Sequence, residues 1–181
     1  QDKVFVTNMD CFLAFIIKIE VTLKGQPGLI TLQESMLKQL ALSRDDIISY
    51  IEQSNLSDLY TMINMQTLLE GMLSAEEIKQ AKMDTPSMFV ITTEKRTYGA
   101  SILFFKERLA AMLLSQNIEK AIILPSSIHE IIVIPYDDSM NPSFFKAMVC
   151  EVNQEQVSPE EQVFDGAYLF EGIEAGTYLI K

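Results

Sequence analysis

Two short apolar runs, Ala121 to Leu124 and Glu130 to Pro135, are separated by only Pro125-Ser126-Ser127-Ile128-His129. Runs this short, bounded by turn residues, read as a pair of strands rather than a helix. A strand pair is at best marginally stable alone in water, so the chain must build a sheet around it. On this reading Pro125 ends the first strand and the hydroxyls of Ser126 and Ser127 hold a tight bend by bonding nearby backbone groups. The second strand then starts at His129.

The same pattern recurs through the second half. Met88 to Thr92 and Tyr98 to Phe104 flank the polar Thr93-Glu94-Lys95-Arg96 and predict a hairpin. A helix from about Phe105 to Ser115 follows, with Leu109, Met112 and Leu113 inward. Asn141-Pro142 opens another, because proline is tolerated in the first helical turn, and Phe144, Phe145, Met148, Val149 and Val152 form its apolar stripe. Ala167 to Phe170 and Thr177 to Ile180 predict a closing hairpin. One-sided helices and short hairpins indicate an antiparallel sheet rather than a doubly wound one, so the fold class is α+β, mainly antiparallel sheet with helices packed on it.

The first half reads as a strand followed by helices. Phe15 to Leu23 alternates, with Ile17, Ile19, Val21 and Leu23 apolar between Lys18, Glu20 and Thr22, the period of a strand with one wet face. Gly25-Gln26-Pro27-Gly28 is the predicted turn. Leu32, Met36, Leu37 and Leu40 then fall at helical spacing. Ser43 with Asp46 resembles a capping box opening a second helix through Ile47, Ile48 and Ile51. Ser57 is expected to open a third through Leu59, Met62, Ile63, Leu69 and Met72, and Ser74 a short fourth. Asp84-Thr85-Pro86-Ser87 punctuates the chain, dividing a segment 1–87 from an α+β core 88–181, the two being packed together or forming one continuous domain.

The length of 181 residues suits one domain or one with an elaboration, and 48% hydrophobic residues suffice for a sizeable core. The apolar run Cys11 to Ile17 is far shorter than the roughly 20 residues a membrane span needs. The chain begins at Gln1, so it is a processed product or a part of something longer, and removal of a signal peptide stays open. Cys11 on a strand and Cys150 on a helix read as two buried thiols, with a disulfide between them left open. The cytoplasm is the expected location.

The net charge is −11. Between Ala147 and Ile180 there is no Lys or Arg, while Glu151, Glu155, Glu160, Glu161, Asp165, Glu171 and Glu174 all fall there. Such a surface repels phosphate backbones and disfavours nucleic-acid binding. It is a solvated face that aids solubility, or else a docking face for a basic protein or a cation.

His129 is the only histidine and lies beside Glu130, just after two serines. Nucleophile, base and orienter are the residue types of acyl-transfer chemistry, which makes Ser126, Ser127, His129 and Glu130 the catalytic candidates. Strand alternation places His129 with Ile131 and Val133 and Glu130 with Ile128, Ile132 and Ile134, so the two side chains are expected to point apart. Without a second histidine or a cysteine pair zinc is not expected, and although distant acids could assemble a magnesium site, nothing in the sequence fixes such a set, so no metal site and no cofactor are expected. Dinucleotide, P-loop, nucleophile-elbow and Cys-x-x-Cys motifs are absent. Gly99 alone is too little for a phosphate cradle and is expected to permit close packing in its strand. The ten methionines read as core filler.

Met88-Phe89-Val90-Ile91-Thr92, Tyr98-Gly99-Ala100, Ile123-Leu124-Pro125-Ser126-Ser127-Ile128-His129-Glu130 and Glu151-Val152-Asn153 together resemble a bacterial domain-of-unknown-function family common in gut anaerobes. The resemblance covers roughly Met88 to Phe170. It implies a bacterial source and a carboxy-terminal portion of a longer protein, and it marks Asn153 as a ligand-binding candidate beside the four residues above. No activity comes with it. The leading expectation is a non-enzymatic domain that binds a protein or small ligand. The alternative is a hydrolase-like enzyme with Ser126 or Ser127 as nucleophile and His129 as base. A third reading is an acidic surface that mimics nucleic acid to capture a basic protein.

Overall fold

The computed structural model describes residues 5–8, 13–70, 87–163, 166–172 and 177–179. The chain divides into two compact units, Gln1–Leu56 and Ser57–Lys181. Cys11 and the expected helix at Ser74 lie outside the described residues.

In the first unit β1 (Phe5–Asn8) pairs antiparallel with β2 (Leu13–Ile16), and β3 (Lys18–Leu23) with β4 (Gln26–Thr31). Lys24 and Gly25 join β3 to β4, both left-handed with φ of 51° and 81°. A two-residue turn with positive φ at both positions matches the twist of its flanking strands. Gln26, Pro27 and Gly28, expected to be the turn, therefore run within β4. A two-stranded ribbon has only edges, where a proline's missing N–H is tolerated. Ile19 is exposed, so the alternation of β3 does not produce the single dry face expected. The unit's small core is instead Leu32 and Leu37, packed by Ile17, Met36 and Ile47. Leu37 lies on α1 (Glu34–Leu40). The next helix, α2 (Arg44–Gln53), opens on the expected capping box: the Ser43 hydroxyl accepts from the Asp46 N–H at 3.1 Å, and the Asp46 carboxylate accepts from the Ser43 N–H at 2.8 Å.

The second unit is built on one six-stranded antiparallel sheet. Its strands are β5 (Tyr60–Asn64), β6 (Phe89–Thr93), β7 (Ala121–Ser127), β8 (Glu130–Pro135), β9 (Tyr168–Phe170) and β10 (Thr177–Leu179), in the spatial order β10-β9-β7-β8-β6-β5. Two expectations are corrected here. The segment from Ser57 is a short 3₁₀ turn, then strand β5, and only then a helix, α3 (Met65–Glu70). Met62 and Ile63 are thus on a strand, facing Ile91 and Val90 of β6. The second correction concerns the predicted strand from Tyr98 to Phe104, which is a 3₁₀ helix, Gly99–Phe104. The neighbours of β6 in the sheet are instead β5 on one side and β8 on the other.

Ala121 to Pro125 are five consecutive buried residues, so β7 is covered on both faces. One face carries α5 (Pro142–Gln156): its Phe145 and Val149 pack with Ile122, Leu124, Ile134 and Ala167. The helix opens at Asn141-Pro142 as expected, and the Asn141 side chain caps it by accepting from the Ser143 N–H at 3.1 Å. The inward stripe is narrower than predicted, because Phe144 is 61% and Val152 38% exposed while Asn153 is buried. The 3₁₀ helix packs on β6 and β8 and leads into α4 (Lys106–Ser115), whose Leu109, Ala110, Met112 and Leu113 are buried.

Candidate functional site

The β7–β8 hairpin carries every catalytic candidate. Its pairing runs regularly to Leu124 opposite Ile132, then slips by one residue before Ser127 meets Glu130. Pro125 and Ser126 thus occupy a bulge, where a residue without an N–H costs no ladder bond. The first strand continues past Pro125 to Ser127, and Ile128 with His129 forms a two-residue turn. His129 is therefore in the turn and not on the strand, which begins at Glu130.

The polar groups of this turn bond mostly to backbone. The Ser127 hydroxyl accepts from the His129 N–H at 3.0 Å, and the Ser126 hydroxyl makes a longer contact of 3.4 Å with the Glu130 carbonyl. The His129 carbonyl accepts twice, from the Gly99 N–H at 2.9 Å and from the Thr92 hydroxyl at 2.8 Å, while the neighbouring Ile128 carbonyl accepts from the Ala100 N–H at 3.3 Å. Gly99 and Ala100 open the 3₁₀ helix, and the first amides of a helix have no partner inside it. The turn carbonyls supply those partners.

This junction explains Gly99. A Cβ there would stand 2.5 Å from the His129 carbonyl oxygen and 2.5 Å from the Thr92 Cα. Only glycine lets the backbones approach so closely. Tyr98 before it is left-handed at φ 57°, and its N–H donates to the His129 Nδ1 at 3.3 Å. With Nδ1 turned to a backbone amide, Nε2 is the ring nitrogen left to meet another group. That nitrogen faces the Glu161 carboxylate at 3.5 Å, and the Ile128 N–H donates to the Glu161 carbonyl at 2.8 Å. The tilted Tyr98 and His129 rings, 5.6 Å apart between centroids, complete the contact.

Among the described residues, neither serine hydroxyl bonds the imidazole. Glu130 is half-buried at the start of β8, and Asn153 is buried on α5, its carbonyl accepting from the Gln162 side chain at 2.7 Å. Gln162 also reaches the Val157 carbonyl at 3.0 Å, so the segment after α5 is folded back and held where Glu161 meets His129. Thr92, Tyr98 and Glu161 carry no signal in the linear spacing. Thr92 is a buried hydroxyl in an otherwise apolar strand, which only the fold reveals.

Elsewhere an open groove of about 360 Å³ lies between Asn117–Lys120 and Pro135–Asp138. Lys120 there pairs with Glu171 at 3.2 Å, and the hydrogen bond and charge of Glu171 raise the Lys120 pKa. Hydrogen bonds from the Ser139 side chain and N–H hold the Asp137 carboxyl below its ordinary range. Among the described residues no group of three or more His, Cys, Asp or Glu side chains is arranged to hold a metal ion. No helix among them is long and apolar enough to cross a membrane.

Compared with known families, the sequence matches one model over residues 2–172. The chain belongs to DUF5688, a family of unknown function. The DUF5688 match spans both units, well beyond the Met88 to Phe170 stretch on which the resemblance rested. Among curated proteins and among solved structures nothing matches.

Proposed function

We propose that this DUF5688 chain is a non-enzymatic binding module of the bacterial cytoplasm whose acidic carboxy-terminal face takes up a basic protein. The observation that carries the reading is the engagement of Ser127 and both His129 ring nitrogens in holding the β7–β8 turn. A general base needs a nitrogen free to take a proton from a nucleophile within about 3 Å. Here Nδ1 accepts from a backbone amide and Nε2 faces a carboxylate. The binding side of the proposal rests on charge, with Glu151, Glu155 and Glu160 exposed in a stretch that contains no cation.

The serine-hydrolase reading keeps one specific support, the His129–Glu161 pair, because an imidazole oriented by a carboxylate is two thirds of a triad. A fluorophosphonate probe separates the two. The binding module stays unlabelled and retains polylysine on a column in a salt-sensitive way. Labelling that disappears in Ser126→Ala or Ser127→Ala would overturn it, as would polylysine binding indifferent to salt.

A further inference from the structure

We infer that the outer flank of α5 is the docking site itself, and that its occupant is a basic amphipathic helix of another protein. This deepens the proposal above and rests on its reading of a basic partner.

The helix carries two apolar rows at spacings of four. Phe145 and Val149 point inward with Asn153 behind them. The neighbouring row is Phe144, Met148 and Val152, turned about 100° round the helix. Met148 leans on the core cluster while Phe144 and Val152 stand in solvent. The Phe144 ring is 5.7 Å from that of buried Phe145, near perpendicular at 78°. An edge contact of this kind holds an exposed ring in one place, as a binding anchor requires.

Charge selects the occupant. Glu151 lies three residues after Met148 and Glu155 three after Val152, so each carboxylate sits one turn beyond an apolar residue on the same flank. In projection both fall within about 20° of Phe144, whereas Lys146 lies about 200° away. Glu151 and Glu155 are themselves four apart, where like charges repel, and no basic residue stands in the last turn to oppose the negative helix end. The helix thus pays for an uncompensated negative flank, which a cationic partner would relieve. A second copy of this chain would set the same carboxylates against each other, and nucleic acid and anionic lipid are repelled outright. From Phe144 to Glu155 the flank runs about 16 Å, the length of a partner helix of roughly three turns.

The test is fluorescence anisotropy with the whole chain and a labelled 14-residue peptide, apolar on one helical face and lysine-rich on the other. A scrambled peptide of the same composition is the control. The docking site predicts saturable binding that Phe144→Ala weakens about tenfold, as loss of an aromatic anchor does. Glu151→Gln with Glu155→Gln should weaken it as well and flatten its salt dependence. Both sets are on the surface, and unchanged thermal unfolding confirms that the variants fold. Equal binding of the scrambled peptide overturns the assignment, and so does self-association abolished by Phe144→Ala. Polylysine bound by wild type and by both variants alike also overturns it, while leaving the basic-partner reading intact. If neither probe binds wild type, that reading itself has failed.

Discussion

Gly99→Ala is the sharpest probe of the junction between the β7–β8 turn and the 3₁₀ helix. Gly99 is not left-handed, so alanine fits its backbone, and in open space the substitution would stabilise the fold by about 0.4–1 kcal/mol through the unfolded chain. The surroundings reverse that sign. The new methyl would lie 2.5 Å from the His129 carbonyl oxygen, 2.5 Å from the Thr92 Cα and 2.9 Å from the Thr92 Oγ1. Two of these atoms are backbone and cannot swing aside. Overpacking of a filled site costs about 1–3 kcal/mol. Separating the strands would also lengthen the Gly99 and Thr92 bonds to His129, each worth about 1 kcal/mol. The expected loss is about 2–4 kcal/mol after the entropic gain is subtracted, a large share of the roughly 5–15 kcal/mol of a typical domain. Urea unfolding followed by circular dichroism reads it as a lower midpoint at similar slope. A midpoint equal to or above wild type would refute the close approach.

Two further expectations concern hydroxyls. Ser43→Ala removes a helix cap and should cost about 1 kcal/mol in thermal or urea unfolding. The Ser43 hydroxyl, and after it the Ser43 N–H, hold the Asp46 carboxyl below its ordinary value of 3.8. A depressed folded value means this stability is present above about pH 4 and lost as the pH falls through the lower folded value. Asp46→Asn should therefore flatten that part of the stability profile between pH 5 and pH 2, and an unaltered profile would contradict the capping box. In the hairpin, Ser127→Ala should destabilise by about 1 kcal/mol and Ser126→Ala by under about 0.5, since the Ser126 contact is long. The reverse order in urea midpoints would contradict the turn geometry.

What could be read from the sequence was local. The start of α5 at Asn141-Pro142, the Ser43 cap, α4, the β7–β8 pair and the closing hairpin each announce themselves within one short stretch of chain. The misread segments were decided by distant partners. Leu59, Met62 and Ile63 fit a helical stripe, but Tyr60 and Ile63 also suit a pleated surface, and pairing with β6 settled the choice. Tyr98 to Phe104 is apolar enough for a strand. It coils because the amides of Gly99 and Ala100 find the turn carbonyls of Ile128 and His129. The candidate site was half legible for the same reason: the Pro-Ser-Ser-Ile-His-Glu stretch is contiguous, whereas Tyr98 and Thr92 meet His129 from 31 and 37 residues away. No spacing rule reaches that far.

The strand order also sets a timetable for synthesis. β7 lies between β8, made next, and β9, which follows only after the whole of α5. A growing chain emerging amino end first can close the β7–β8 hairpin early, yet the other side of β7 waits for Tyr168 to Phe170. Until then one of the most apolar strands in the chain offers a row of open backbone groups to any passing strand. The acidic stretch that begins at Glu151 leaves the ribosome during that interval, and its charge keeps such half-made chains apart.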